Sequence, residues 1–211
     1  MKRDEQDMQH YFTAEPLSES RPTLITATLR DMSFRLWTDR GVFSHGKIDR
    51  GSRLLAETIQ IRSGDRVLDW GAGYGVLGIV AARLEPSCHV TLVEVNRRAA
   101  ELARQNLLEN AVANAEVIVG AAPEMLAGRQ FDTIISNPPV SRGRLVVEEL
   151  IRDSCTRLSE NGALWLVIHT RGGARRYMKL LSELFPQAVT VTISGGFRVL
   201  HALKQAHHKE R

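Results

Sequence analysis

Short apolar segments alternate along this chain with amphipathic segments of helical spacing. Apolar runs at 66–70, 90–94, 115–119 and 131–136 have the length of buried strands. Segments in which apolar positions recur every three or four residues separate these runs and indicate helices. An alternation of strands and helices is typical of a mostly parallel sheet with right-handed crossovers. The pattern therefore predicts an α/β fold.

Both ends of the chain add predicted strands to this pattern. Alternating residues at 23–30 and 33–38 indicate a β-hairpin that precedes the main fold. The last two predicted strands, 189–193 and 197–203, are joined only by Ser194-Gly195-Gly196, so they must be antiparallel. The other predicted elements are a strand at 163–169 and helices at 49–61, 79–84, 96–110, 145–158 and 173–184.

Composition agrees with a single folded domain, because 211 residues with 43% hydrophobic content can bury a full core. The polar N-terminus lacks the apolar stretch of a signal peptide, and the apolar run after the glycine-rich segment is far short of a membrane span. We therefore expect a cytoplasmic protein with no membrane partner. Cys88 and Cys155 are too few for a disulfide framework, and we assign no metal. The expected organisation is an N-terminal extension with the hairpin (1–48), the main domain (49–204) and a charged tail (205–211).

Basic residues exceed acidic ones only slightly, with a formal net charge of +4, but their type is uneven. Of the 28 basic residues, 23 are Arg and five are Lys. Arg binds phosphate groups bidentately and stacks on bases, which favours a nucleic-acid partner. A genome rich in Arg codons produces the same excess, and the overall balance is below that of strongly basic nucleic-acid binders. Both explanations remain open at this point.

A glycine-rich segment follows the strand at 66–70 and opens a predicted helix. Its sequence, Gly71-Ala-Gly73-Tyr-Gly75-Val-Leu-Gly78, permits a tight turn and lets a ligand approach the backbone and the helix N-terminus. The next strand ends at Glu94, whose carboxylate can bind both hydroxyls of a ribose. The segment also satisfies the dinucleotide pattern G-x-G-x-x-G. By themselves these residues therefore fit NAD as well as S-adenosylmethionine.

Asn137-Pro138-Pro139 closes the apolar run at 131–136 and is the most informative feature of the chain. Two consecutive prolines cannot continue a strand, so the chain leaves the sheet in a rigid, extended step. That step presents the Asn137 amide and the Pro138 carbonyl at the carboxyl edge, where ligands bind in open α/β sheets. Two acceptors held in one plane suit a planar –NH2 group. Combined with the glycine loop and Glu94, this order of elements fits methyl transfer to an amine and provides no obvious residue for hydride transfer.

The sequence resembles the class I S-adenosylmethionine-dependent methyltransferases, and within them the small-domain group that contains bacterial ribosomal-RNA guanine-N2 methyltransferases. The likeness extends from His10 to Leu203, and its most specific part is the segment 41–55. It implies a Rossmann-like fold with a seven-stranded, mostly parallel sheet ending in an antiparallel hairpin. It also implies S-adenosyl-L-methionine as cofactor and ribosomal RNA, or a ribosomal subunit, as partner. The implied catalytic residues are Asn137 and Pro138, and the implied cofactor residues are Asp69, Gly71, Gly73, Gly75, Glu94, Val95, Ala121 and Asn137.

Substrate contacts are expected on the loops that follow the strands at 131–136 and 163–169. In a parallel sheet both loops emerge at the same edge, so their arginines would flank one opening. Phe43 and Ser44 resemble a cofactor lid and His169 ends a strand at the ligand edge, although each also fits an ordinary structural role. The expected substrate residues are Pro139, Val140, Arg142, Arg144, Arg171, Arg175 and Arg176.

Two positions depart from the pattern of the family. Val140 stands where relatives carry an aromatic residue that stacks on the target base, and Ala121 stands where they carry an Asp that binds the adenine amine. These departures leave three hypotheses about function. The first is methylation of guanine N2 in ribosomal RNA, the second is methylation of a protein glutamine or a small-molecule amine, and the third is a non-catalytic RNA-binding module. The intact glycines, Glu94 and Asn137 argue against the third.

Overall fold

The computed structural model describes residues 18–205. The start of the resemblance at His10 lies outside the described residues, as does the predicted tail (205–211) apart from residue 205. The described part contains nine strands and six α-helices, and none of these helices is long and apolar enough to cross a membrane. The strands are β1 Thr23–Leu29, β2 Met32–Thr38, β3 Arg66–Trp70, β4 His89–Glu94, β5 Ala115–Val119, β6 Phe131–Ser136, β7 Leu158–His169, β8 Gln187–Ser194 and β9 Phe197–Leu203. The helices are α1 Arg50–Thr58, α2 Val76–Leu84, α3 Arg97–Glu109, α4 Ala122–Met125, α5 Arg144–Arg157 and α6 Ala174–Leu184.

Seven strands form one sheet in the order β5-β4-β3-β6-β7-β9-β8. Neighbouring strands from β5 to β7 are parallel, whereas β9 is antiparallel to both β7 and β8. β1 and β2 pair separately as an antiparallel hairpin. The predicted fold is therefore confirmed, including its closing antiparallel pair. The chain builds outward from β3 in one direction through β4 and in the other through β6, so the loops after these strands meet at the topological switch point.

Alternate residues of the central strands face two apolar layers. Val67, Leu92 and Ile135 belong to the layer that contains α1, α2, α3 and the hairpin. Leu68 and Ile134 belong to the opposite layer, which contains α5 and α6. The period of two follows from the strand pleat, and burial on both faces explains why these strands are continuous apolar runs in the sequence.

Two asparagines of α3 hold the hairpin through its backbone. Asn106 Oδ1 accepts a hydrogen bond from Trp37 N at 2.6 Å, while its Nδ2 donates to Trp37 O at 2.9 Å. One turn later, Asn110 makes the same pair of bonds to Arg35, at 3.1 and 2.7 Å. The two amides act as an adjacent strand would and cover part of the free edge of β2. They also anchor β2, the strand that precedes α1 in the chain, on α3.

The seventh strand is longer than the sequence predicts. It begins at Leu158, directly after α5, and not at Ala163. Pairing with β6 is interrupted between these two residues, and 159–162 form an irregular excursion before the register resumes at Ala163. Asn161 has a left-handed φ of 61° there, a conformation that Asn adopts more readily than most residues. Because residues 159–162 interrupt the apolar run as a turn does, the hydrophobic pattern does not show that the strand already begins at Leu158.

Helix boundaries differ from the predicted ones for local reasons. α2 begins at Val76, before the predicted Ile79, because Gly75 with a φ of 96° already serves as its N-cap. The helix predicted to reach 61 ends at Thr58. The short helix α4 is missing from the predictions, although Pro123 in its first turn is a typical start signal.

Candidate active site

A cavity of about 1130 Å³ opens at the carboxyl edge of β3, β4, β6 and β7. Its volume exceeds the roughly 300–1,000 Å³ of pockets that hold one small ligand. The ends of the four strands contribute Trp70, Val93, Asn137 and Val167, and the walls come from the loops that follow them, part of the segment 43–49 and one face of α5. The cavity therefore has room for a cofactor and an acceptor group side by side.

The glycine loop after β3 presents its backbone to this cavity. Gly71 N and Ala72 N both donate to Val93 O, at 2.9 and 3.1 Å, which folds the loop over the end of β4. Gly71 and Gly73 have φ values of 74° and 58°, in the left-handed region that glycine favours. A Cβ atom at either position would meet no atom within 4 Å, so both residues face open space. A ligand can therefore lie directly on the backbone of this loop.

Six of the eight predicted cofactor residues line the cavity, whereas Gly75 and Asp69 do not. A Cβ atom at Gly75 would lie 3.3 Å from side-chain atoms of Leu92 and Ala103, so this glycine packs against the core. Asp69 is 1% exposed beneath the loop. The residues that line the cavity are Gly71, Gly73, Glu94, Val95, Ala121 and Asn137.

Asp69 supports the glycine loop from below. Its Oδ2 accepts a hydrogen bond from Gly78 N at 2.7 Å, whereas its Oδ1 has no partner within residues 18–205. Burial raises the pKa of Asp69 to about 7, and the Gly78 hydrogen bond opposes that rise only in part. This carboxyl group, with its raised pKa, thus lies outside the lining of the cavity.

Glu94, at the end of β4, supports the same loop and also faces the cavity. Its Oε2 accepts from Gly73 N and its Oε1 from Asn96 N, both at 2.8 Å. Burial raises the pKa of Glu94, and the backbone hydrogen bonds together with the positive charge of Arg142 oppose this rise. A carboxylate has about four acceptor positions, more than these backbone groups occupy, so Glu94 can still accept from a ribose hydroxyl. The open glycine backbone and this carboxylate thus fit the nucleoside part of S-adenosylmethionine.

Asn137 lies across the cavity from Glu94, at the end of β6. Its Nδ2 donates to Asp49 Oδ2 at 3.0 Å and to Ser52 Oγ at 2.9 Å. Because both amide hydrogens are used there, Oδ1 is the end of the amide that remains to accept a hydrogen bond from a ligand. The sequence predicts the acceptor at this position but not the two residues that orient it.

Pro138 O is less free than the sequence predicts. It accepts a hydrogen bond from Val140 N at 2.8 Å in the tight turn after the strand. A carbonyl oxygen has two lone pairs, so one remains available. Pro139 and Val140, two of the expected substrate residues, line the cavity beside it.

Of the five predicted substrate arginines, only Arg142 lines the cavity. Arg144 begins α5 and forms an exposed ion pair with Glu148 at 3.4 Å. The loops after β6 and β7 are nevertheless adjacent, since a Cβ atom at Gly172 would lie 3.3 Å from Val140 Cγ1. The other three arginines lie outside the cavity, on the second loop and in the first turn of α6, and they are Arg171, Arg175 and Arg176. Of the five arginines expected to flank the opening, one therefore lines the cavity and the other four do not, and their contact with a substrate stays a prediction.

Several further residues of the cavity have little signal in the sequence. Tyr74 Oη donates to Lys47 O at 2.8 Å and so holds the segment 43–47 against the glycine loop. The rings of His169 and Phe197 meet edge to face, with centroids 5.0 Å apart, on another wall. Within residues 18–205 no group of three or more His, Cys, Asp or Glu is arranged to hold a metal ion. Lining residues for which the sequence predicts no role in the site include Asp49, Ser52, Tyr74, Glu149, Arg152 and Phe197.

Comparison with known protein families agrees with this geometry. The family model described as "Methyltransferase small domain" matches residues 33–201. The chain belongs to this methyltransferase family. The resemblance seen in the sequence is thereby confirmed, and the small-domain match includes all of β2 except Met32, the glycine loop and the Asn-Pro-Pro turn.

Individual relatives of this small-domain methyltransferase differ in what is known of them. The chain is 31% identical over 200 residues to the uncharacterized protein YbxB of Bacillus subtilis, covering 93% of this chain and 98% of YbxB. It is 33% identical over 195 residues to ribosomal RNA small subunit methyltransferase C of Stutzerimonas stutzeri, covering 90% of this chain and 57% of that protein.

A solved structure of T. thermophilus 16S rRNA N2 G1207 methyltransferase (RsmC), in complex with AdoMet and guanosine, superposes with a TM-score of 0.78 at 29% identity. The superposition covers 90% of this chain and 52% of RsmC. The chain thus spans little more than half the length of the ribosomal RNA methyltransferases that it matches.

Proposed function

We propose that this protein transfers a methyl group from S-adenosylmethionine to an exocyclic amine, namely N2 of a guanine in ribosomal RNA. The observation that carries this proposal is the orientation of the Asn137 amide. Its nitrogen donates hydrogen bonds to Asp49 and Ser52, so its oxygen is the atom that can accept a hydrogen bond from an amine. The family supports the transfer, and S-adenosylmethionine is its cofactor, as the AdoMet bound in the T. thermophilus neighbour indicates.

Asn137 and Pro138 are placed to overcome a specific chemical difficulty of this reaction. The exocyclic nitrogen of guanine is a poor nucleophile, because its lone pair is delocalised into the ring. Hydrogen bonds from this –NH2 group to Asn137 Oδ1 and Pro138 O hold the group in place and turn the lone pair toward the electrophile. The same two oxygens stabilise the positive charge that develops on the nitrogen, as preorganised dipoles of opposite sign do in an oxyanion hole.

The reaction requires little further help from the protein. When bound, S-adenosylmethionine supplies a methyl group on a positively charged sulfur, which is electrophilic without activation. Positioning of the two partners therefore dominates the rate enhancement. No strong base is needed before transfer, because the nitrogen proton becomes acidic once the nitrogen carries the methyl group. In this scheme the chain's own residues hold, orient and desolvate the acceptor.

Glu94 and the glycine loop are the proposed cofactor contacts. The two hydrogen bonds from Gly73 N and Asn96 N fix the Glu94 carboxylate, and its remaining acceptor positions receive the ribose hydroxyls. Gly71 and Gly73 let the remainder of the cofactor lie on the backbone. Ala121 offers no carboxylate for the adenine amine, so the contact there comes from backbone groups.

Ribosomal RNA is proposed as the substrate on the basis of the relatives and of the arginines. Relatives of the chain include ribosomal RNA methyltransferases, and 23 of its 28 basic residues are arginines, the residue type that binds phosphate bidentately. Val140 cannot stack on a flipped base, a contact worth about 1–3 kcal/mol. Phe43, which is 39% exposed on the cavity wall, is an aromatic surface on the same cavity.

The test is a methyl-transfer assay with S-adenosylmethionine labelled in its methyl group. In separate reactions, the purified protein receives unmodified 16S rRNA, small ribosomal subunits assembled on that RNA, total cell protein and free guanosine. Nucleosides from labelled RNA are then resolved by mass spectrometry, with the Asn137→Ala variant as the inactive control. Label in N2-methylguanosine is the expected result. Label in protein glutamine supports the second hypothesis, and cofactor binding without label in any fraction supports a non-catalytic role.

A further inference from the structure

We infer that Asp49, together with Ser52, is a positioning residue that sets the orientation of the Asn137 amide. By doing so it decides that the oxygen of Asn137, and not its nitrogen, meets the acceptor amine. The catalytic consequence rests on the proposed function, whereas the orientation itself does not depend on which acceptor the enzyme uses.

The contacts come from a part of the chain that is remote in sequence. Asp49 precedes Asn137 by 88 residues and reaches it across the sheet edge, with 3.0 Å between Asp49 Oδ2 and Asn137 Nδ2. Ser52 Oγ lies 2.9 Å from the same nitrogen. Asp49 and Ser52 both line the cavity, so the three side chains form one connected group on its wall.

The amide has only one satisfactory orientation in this group. A carboxylate accepts hydrogen bonds and cannot donate them, so the atom that faces Asp49 must be the amide nitrogen. A rotation of the amide by 180° would place Asn137 Oδ1 against the carboxylate and expose two N–H donors to the acceptor. An –NH2 group of the substrate would then meet donors instead of an acceptor, and the developing positive charge would lose its partner.

The carboxylate is itself held in place by α1. Asp49 is the N-cap of this helix, and its Oδ2 accepts from Ser52 N at 3.1 Å. One oxygen atom thus joins the helix N-terminus to the Asn137 amide. The side chain therefore reaches Asn137 from a fixed point and not as a free surface group.

Gly51 leaves the space that this arrangement requires. A Cβ atom at this position would lie 2.9 Å from Asp49 Oδ2 and 2.9 Å from Phe197 Cε1. Both distances are too short for a real contact, so any larger residue would displace the carboxylate or the ring. A buried glycine thus keeps the carboxylate within reach of Asn137.

The first measurement observes the amide directly and needs no substrate. In a two-dimensional 15N–1H spectrum, the side-chain –NH2 signals of Asn137 are assigned by their loss in Asn137→Ala. In the parent protein we expect them to be shifted from the positions of a solvent-exposed Asn. Asp49→Ser retains an N-cap oxygen, so α1 is preserved, but the shorter side chain lacks the carboxylate. The signals should move toward ordinary values in this variant and in Gly51→Ala.

A matched control separates this effect from a general loosening of α1. Glu57 lies in the last turn of the same helix, is exposed, and binds Arg30 N of the hairpin at 3.1 Å. Glu57→Gly weakens the helix without touching Asn137. Its Asn137 amide signals should remain at the parent positions.

The second measurement is the single-turnover rate on whichever acceptor takes the label. We expect Asp49→Ser to slow the reaction on the order of tenfold, against roughly a hundredfold for loss of a whole preorganised contact, with the cofactor Kd little changed. In the Asn137→Ala background the same change should have no further effect, because Asp49 acts only through Asn137.

Two results would overturn the inference. One is an Asp49→Ser spectrum in which the Asn137 amide signals stay at their parent positions. The other is an equal slowing of the parent and the Asn137→Ala background, which would show that Asp49 acts on its own. If RNA takes no label but the amide signals move as expected, the orientation stands and the proposed substrate fails.

Discussion

On the β3–β4 side of the cavity, the groups that face a ligand are held by backbone hydrogen bonds between two consecutive strands. Glu94 accepts from Gly73 N, 21 residues earlier, and from Asn96 N, two residues later. On the β6 side, Asn137 is oriented by side chains of Asp49 and Ser52, which are 88 and 85 residues away. The β3–β4 side, here called the cofactor side, is thus held by contacts between residues close in sequence. The β6 side, here called the acceptor side, depends on contacts between residues far apart in sequence.

This difference has a consequence for how each side responds to mutation. Local backbone contacts form whenever β3, β4 and their loop form, so the cofactor side should remain intact as long as the sheet does. The acceptor side needs α1 to be correctly placed on the sheet edge. We therefore expect cofactor binding and methyl transfer to be separable by single substitutions.

The largest effect is expected for Asn137→Ala. Turnover should fall on the order of a hundredfold or more, because the lost acceptor acts on the reacting nitrogen. The cofactor Kd should stay nearly unchanged. Single-turnover rates and isothermal titration with S-adenosylhomocysteine measure the two quantities in the same preparation. A variant with parental turnover would remove Asn137 from the mechanism and erase the proposed difference between the two sides.

Glu94→Ala should have the complementary effect on the cofactor side. A ligand at about a hundred times its Kd stabilises the fold by about 2.7 kcal/mol, and most of this stabilisation by S-adenosylhomocysteine should disappear in the variant. Thermal unfolding with and without ligand provides the measurement. Glu101→Ala, at an exposed glutamate of α3 outside the cavity, should retain the full shift. Stabilisation of the parent by NADH and not by S-adenosylhomocysteine would contradict the assignment of this side.

Asp69 should make the stability of the cofactor side dependent on pH. Its pKa is about 7 in the folded chain against 3.8 for the ordinary carboxyl, so the folded state holds a proton that the unfolded state releases between these values. Stability from this group is therefore lost as the pH rises from about 4 through 7. Asp69→Asn should remove this dependence, which is on the order of 2–3 kcal/mol between pH 5 and pH 8.

Urea unfolding at pH 5 and at pH 8 measures that difference for parent and variant. Asp132→Asn is a suitable control, since the hydrogen bond from Arg66 lowers the pKa of Asp132 and the group is ionised in the folded state at both pH values. Its effect on stability should be nearly the same at pH 5 and pH 8. An Asp69→Asn variant whose stability follows the pH as the parent does would contradict the role assigned to burial.

The smallest effect is expected for the arginines outside the cavity. Arg175→Ala with Arg176→Ala should weaken RNA binding by roughly tenfold and reduce the slope of log affinity against log salt by about 1.4, if each contacts one phosphate of a single strand. Cofactor binding should be unchanged. A control pair, Arg35→Ala with Arg104→Ala, removes the same charge from ion pairs on β2 and α3. If both pairs reduce the slope equally, the effect belongs to net charge and not to the loops beside the opening.

Much of the cofactor side was predictable from sequence because its determinants are consecutive. Gly71, Gly73 and Glu94 follow apolar runs directly, and parallel strands bring their ends to one edge. Asp69 and Gly75 belong to the same motif, yet they lie beneath the loop and in the core, because a motif does not tell which of its residues face the ligand. On the acceptor side, Asn137 was predictable from the two prolines after it.

The sequence alone determined which elements form and in what order, because hydrophobic period, glycine and proline act over a few residues. It determined the sheet edge, the glycine loop and the place of Asn137 at the end of β6 in this way. Tertiary structure decided that Asp49 and Ser52 meet Asn137, that Tyr74 holds the segment 43–47, and that Arg175 and Arg176 remain outside the cavity. These contacts join residues from different loops, and their geometry depends on how α1, α2 and α6 pack on the sheet. No local period in a sequence encodes that packing, since it is the sum of many weak contacts across the whole core.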